Sequence, residues 1–244
     1  MSGAEEQLHW FRRFIKSGHS EDLHLALKSL FQIEDPSEFA KLLRSIENLV
    51  VISPVFKDWE SVFAGQLLNR AADIRLACLR VMTLAFEMNV SHDKNHFVLL
   101  IRSALEEGSE EALLCALRVL HKSPGLPSRE LSQKLLDLSL THHSAKIRAT
   151  LATTLRDFQD TTTTENLKVL ACDFDPRTRA NAVLSGAALF YRKTGDSEIL
   201  KKMIQIASHD YHNRVIADSA MAHSLFDRDK SDRLIVDLLT STED

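Results

Sequence analysis

Glycine is scarce in this chain of 244 residues, seven in all, and no two lie closer than Gly186 and Gly195. Phosphate loops, dinucleotide fingerprints and the GxSxG elbow need glycines within about five residues of one another, where backbone must close on an anion or turn sharply. All three are therefore excluded. Cysteine is nearly as rare: Cys78, Cys115 and Cys172 are odd in number and form no CxxC pair. Neither a disulfide framework nor a zinc ribbon follows from that, and a reducing, cytoplasmic setting is expected. Long apolar runs are missing too, since purely aliphatic stretches are no longer than the four residues of Leu49–Ile52, and Glu5, Glu6, Arg12 and Arg13 crowd the N-terminus. No signal peptide or membrane span can be built from such material.

An excess of one charge is also absent. The net charge is −4, with 14 basic against 17 acidic residues over 1–122 and 16 against 17 over 123–244. A globally basic nucleic-acid binder is disfavoured, which leaves room only for a local basic stripe. The two tryptophans are Trp10 and Trp59. Trp59 stands among Val55, Phe56, Val62 and Phe63 and is expected in the core.

What the chain does have is a repeat. Phe39, Arg75, Leu113, Arg148, Arg179 and Arg214 occupy equivalent positions at intervals of 36, 38, 35, 31 and 35 residues, the period of a helical-hairpin array. Four residues before each stand Asp35, Ala71, Ser109, Ser144, Asp175 and Asp210. Five of those six are N-cap types, and Pro36 and Pro176 follow two of them, where a missing N–H costs nothing.

Three residues on, the row reads Leu42, Cys78, Ala116, Leu151, Ala182, Ala217; seven on, it reads Ile46, Met82, Leu120, Leu155, Gly186, Met221. Both rows share one face of a 3.6-residue helix and predict packing stripes. Partner helices, called A, are predicted at about 18–32, 54–69, 92–106, 128–142, 162–172 and 195–208, between the B helices just described, with a leading helix at about 5–16 and a trailing one at about 229–240.

The segment Asp173–Phe190, DFDPRTRANAVLSGAALF, resembles the second helix of HEAT repeats, especially bacterial ones, and KIRATLATTL, DIRLACLRVM and NRVIADSAMA echo it. The resemblance spans about residues 35 to 227 and implies one all-α domain over 1–244: a right-handed α-solenoid of about six HEAT-like hairpins with terminal capping helices. It further implies an Asp–Arg ladder between repeats, involving Asp175 with Arg179 and Asp210 with Arg214. Leu113 and Phe39 depart from the pattern, having no guanidinium to offer. HEAT motifs specify a fold, so the functional expectation is only that of a non-enzymatic scaffold or adaptor.

Several residue groups invite chemistry. His92 and His96 have the i, i+4 spacing of a metal pair, with Asp93 beside them, but no Glu stands between as in HExxH. His209 with His212, and His142 with His143, read as turn residues. Glu106, Glu107, Glu110 and Glu111 surround a turn, and the last two suit a helix dipole. No metal or cofactor is expected. The enzymatic alternative is a HEAT-like DNA glycosylase for alkylated bases, which grips lesions with aromatic and carboxylate side chains; the B-helix ridge offers no such constellation.

The resemblance also places the B helices along a concave side. Opposite the packing stripes, the free ridge then consists of positions +2, +5 and +9. Row +5 reads Arg44, Arg80, Arg118, Thr153, Leu184, Ser219. Lys41 and Asn181 at +2 and Lys122, Ala188 and His223 at +9 extend it, as does Ile216 at +2. The expected site is Lys41, Arg44, Arg80, Arg118, Lys122, Leu184 and Ile216, holding a protein or peptide partner with an acidic or phosphorylated segment. Nucleic-acid backbone is the less favoured occupant.

Overall fold

The computed structural model describes residues 9, 10, 12–14, 16–122, 129–158, 161–194 and 196–241. All regular structure among them is helical, and no described helix is long and apolar enough to cross a membrane. Of the leading helix expected at 5–16, residues 9, 10, 12–14 and 16 are helical, and 5–8, 11 and 15 lie outside the described residues. The chain divides into two compact units, Met1–Ser132 and Gln133–Asp244.

In the first unit the bounded helices are α1 (Ser20–Leu30), α2 (Pro36–Ile52), α3 (Phe56–Gln66), α4 (Ala72–Glu87), α5 (Lys94–Glu107) and α6 (Glu110–Lys122). Successive B helices pack together, α2 on α4 and α4 on α6, while α3 packs on α5. The starts follow local chemistry. Asp35 accepts from the N–H groups of Ser37 and Glu38, Asp93 from those of Asn95 and His96, and Ser109 from that of Ala112. Each occupies orphan donors of a first turn, worth about 1 kcal/mol. Gly108 ends α5 at φ +65°, a left-handed turn that a side chain would strain.

Large side chains fill this unit. Phe39, Phe56, Phe63 and Phe97 are fully buried, and Phe31 meets Phe39 and Phe63 at ring distances of 5.3 and 5.5 Å. Trp59 lies at the margin of that cluster rather than inside it. It is half-buried, stacked on Phe31, and its indole N–H donates to His24 Nδ1 at 3.1 Å. A polar indole edge needs a partner, which places it where an imidazole can reach.

The second unit contains α7 (Arg129–Leu140, whose first turn belongs to the preceding unit), α8 (Ala145–Leu155), α9 (Thr161–Leu170), α10 (Pro176–Tyr191), α11 (Ser197–Ala207), α12 (Asn213–His223) and α13 (Arg228–Ser241). Here α8, α10 and α12 pack in series and α13 closes on α12. The core is built from small residues: Ala180, Val183, Ala187, Ile204, Ala207, Val215 and Ala222 form one buried cluster. Gly186 is part of this close fit, since a Cβ there would overlap the Met203 methyl.

The predicted stripes hold except in the last hairpin. Cys78, Ala116, Leu151, Ala182, Ile46, Met82, Leu120, Leu155 and Gly186 are all buried, and Leu42 is half-buried. Met221, by contrast, is 63% exposed, while Ser219 and His223 are fully buried. The cause is a slip of two residues: α12 starts at Asn213 with His212 as its N-cap, so Ile216, not Arg214, occupies the fifth place from the cap.

Candidate functional site

The most regular chemistry belongs to the arginines at the common position of α4, α8 and α10. Each sends Nη1 to the carbonyls five and six residues back: Arg75 to Asn69 and Arg70, Arg148 to His142 and His143, Arg179 to Asp173 and Phe174. Each also reaches a carboxylate of the next hairpin. Arg75 pairs with Glu107, Arg148 chelates Asp173 at 2.6 and 2.9 Å, and Arg179 chelates Asp210 at 2.7 and 2.9 Å. One guanidinium thus caps the turn before its own helix and grips the turn after the next.

The ladder expected from the HEAT resemblance therefore has different partners. Asp173 and Asp210 each take the N–H two residues on, from Asp175 and His212, which makes them equivalent. Asp175 is a cap, bonding the Thr178 N–H at 2.8 Å, and Asp210 is not. Arg214 lies 4.0 Å from Asp218 instead. Burial by itself would raise the carboxyl pKa of Asp173 and Asp210. Bonds from Arg148 or Arg179 and from the backbone outweigh it, so both sit below the ordinary carboxylate value.

The ridge of the first unit is charged but internally paired. Arg80 is gripped by Glu47 through Nε and Nη2, at 2.9 and 2.7 Å, and by Glu111 through Nη1 at 2.7 Å. These bonds hold the guanidinium firmly charged. Arg118 chelates Glu87 at 2.8 and 3.0 Å, and Arg44 approaches Glu111 at 3.7 Å. Lys41 and Lys122 are exposed at its borders. Five cations and three glutamates leave a ridge that is positive by two, with arginine side chains held straight between helices. Sequence spacing located the arginines but not Glu47, Glu87 and Glu111, which stand at three different offsets in their own helices.

The second unit's ridge reads Thr153, Leu184 and Met221, with Leu184 37% and Met221 63% exposed. Ile216 is half-buried because of the slip in α12, so Met221 takes the place expected of Ser219. Leu225, 40% exposed, does the same for His223.

The other candidates resolve into structure. His92 precedes the cap Asp93 and so shares no helical face with His96, whose Nδ1 lies 2.9 Å from Glu60. His212 caps α12 through its Nδ1, and His142 Nδ1 accepts from the Ser144 N–H. Glu107 and Glu111 serve Arg75 and Arg80. Among the described residues no three His, Cys, Asp or Glu side chains gather as metal ligands. Cys78 and Cys115 are buried in the first unit and their thiols are pushed up by desolvation, whereas Cys172 is exposed.

Two hollows mark the second unit, one of about 610 Å³ beside Phe190, Tyr191 and Lys201, the other of about 200 Å³ beside Cys172, Met203 and Ile206. Neither is lined by a carboxylate or an imidazole among the described residues. A polar ring stands on a packing row: His223, seven places after Ile216 in the slipped register of α12, is fully buried with both ring nitrogens lacking a hydrogen-bond partner among the described residues.

No protein-family model matches this chain, and neither a curated protein nor a solved structure shows significant similarity to it.

Proposed function

We propose that this chain is a HEAT-like repeat scaffold without catalytic activity, and that it binds a protein or peptide carrying acidic or phosphorylated side chains along the ridge of α2, α4 and α6. The observation that carries this reading is the alignment of Arg44, Arg80 and Arg118 at one ridge position of three successively packed helices. Guanidiniums match carboxylate and phosphate oxygens two at a time. Those of Arg80 and Arg118 are already fixed by Glu47, Glu87 and Glu111, so a partner need not freeze their rotamers. The same glutamates weaken the field. Binding is therefore modest and salt-sensitive, with Lys41 and Lys122 drawing the partner from the borders.

The test is binding of arrayed acidic, phosphorylated and basic peptides by the full chain and by its Arg44/Arg80/Arg118→Ala variant. Acidic and phosphorylated peptides should be retained at low salt and released as salt rises. Loss of all three arginines should weaken them by about 1 kcal/mol per contact removed. Equal retention by parent and variant would move the site off this ridge.

A further inference from the structure

The beginnings of α8, α10 and α12, which pack in series within the second unit, share a surface that the ridge does not include. The turn before each helix carries one ring at the same place: His143, Phe174 and Tyr211. All three are exposed, Phe174 at 96% and Tyr211 at 82%. The second residue of each helix is basic and exposed: Lys146, Arg177 and Arg214.

Both choices run against folding. Water-exposed rings gain nothing from burial, and cations at helix starts oppose the dipole. The first unit obeys the rule at the corresponding helix positions, with Ser37, Asp73 and Glu111, and in its turns, with Glu34, Arg70 and Gly108.

The turns are also held in place. Arg148 bonds the His143 carbonyl at 2.9 Å and Arg179 bonds the Phe174 carbonyl at 3.0 Å. The Arg179 guanidinium lies 4.8 Å from the Tyr211 ring centre, supporting one face and leaving the ring open to solvent. Asp173 and Asp210 are consumed by those same arginines. Asp175 caps α10, and Asp218 lies 4.0 Å from Arg214.

We propose that this edge binds single-stranded nucleic acid. A single strand is the partner that presents flat, stackable faces and a negative charge at every step, and the edge offers a ring and a cation at every helix. A duplex hides its faces and would leave the rings unused. An acidic peptide supplies charge without the stacking surface. The weak net charge of the chain agrees with a short, low-affinity contact rather than wrapping. This inference stands apart from the ridge and from the peptide partner assigned to it.

Fluorescence anisotropy with a labelled oligothymidylate of about twelve nucleotides tests it on the full chain. Binding is expected at low salt, with log affinity falling against log salt at a slope of about −2 for three neutralised phosphates. The Phe174→Ala/Tyr211→Ala variant should bind more than about tenfold more weakly. Lys146→Gln/Arg177→Gln/Arg214→Gln should abolish binding while melting close to the parent, because exposed charges contribute little to stability. Arg44/Arg80/Arg118→Ala should bind like the parent. No binding by the parent, full binding by the ring variant, or equal affinity for duplex DNA or for polyglutamate would each overturn the proposal.

Discussion

The two units reach the same kind of helix stacking by different means. In the first, bulky side chains interlock: Phe39, Phe56, Phe63 and Phe97 are buried, and helices are tied across the ridge by Arg80 and Arg118. In the second, alanines and Gly186 take the place of bulky side chains in α10, and the single rung Arg75–Glu107 of the first unit becomes two chelated rungs, Arg148–Asp173 and Arg179–Asp210, that join the turns. Large residues tolerate loose spacing because they fill it. Small ones stack well only if something else sets the distance, and two chelated guanidiniums do so.

The largest expected effect follows directly. Arg179→Ala should cost about 3 kcal/mol or more, since its pair is nearly buried and removal strands Asp210 together with two carbonyls. Arg75→Ala, more exposed and held to its carboxylate through one nitrogen where Arg179 uses two, should cost no more than about half as much. Urea unfolding of the two variants decides it, and equal losses would erase the distinction between the units.

Overpacking gives a second test. Gly186→Val forces side chain into the Met203 and Leu200 contact and should cost about 2 kcal/mol, whereas Met82→Leu at the same row of α4 should cost less than about 1.5. Thermal melts of both would show whether the second unit is the tighter of the two.

His223 supplies a test by pH. Burial, with Lys230 and His209 adding repulsion and Asp227 opposing them, holds its pKa below the ordinary histidine value. The unfolded chain then takes up a proton that the folded chain refuses once pH falls below about 6.5, so stability is constant above that value and declines below it. His223→Met should flatten the decline between pH 7 and 5 and stabilise by about 1 kcal/mol at pH 7, as two unpaired nitrogens vanish. The ladder behaves later. Asp173 and Asp210 contribute stability above their unfolded pKa of about 3.8 and lose it as pH falls further, through their depressed folded values. Denaturant midpoints measured from pH 8 to 3 should show the two steps in the parent and only the second in the variant.

The smallest effect is common to both units. Asp35→Ala and Asp175→Ala each remove a side-chain cap and should cost about 1 kcal/mol, while Ser144→Ala should cost clearly less because Ser144 makes no side-chain cap bond. Chemical denaturation separates these cases.

How much of this was legible beforehand depended on whether the chemistry was local. The caps at Asp35 and Asp175 and the stripes of five hairpins follow from residues a few places apart. In the last hairpin hydropathy favours the wrong register: Met221 suits a core row and His223 does not, yet the first is exposed and the second buried. Asp210 favours the same wrong register, being a cap-type residue two places before the actual cap, His212. Its real counterpart, Asp173, differs from a cap only in the partner it finds in the preceding hairpin. The arginines at +5 follow from spacing along the chain while their glutamates do not, because pairing across helices depends on the axial shift between neighbours, which spacing along the chain does not encode. The basic helix starts of the second unit were present as letters throughout but acquired meaning only once α8, α10 and α12 lay side by side.

The distribution of sulfur gives the molecule its own means of reporting motion. Cys172 in the second unit is open to solvent, whereas Cys78 and Cys115 are sealed in the first, with thiols that burial keeps protonated. A thiol reagent should therefore consume one equivalent at once and the other two only as fast as the first unit breathes. The slow phase times the opening of one half of the chain without any engineered label.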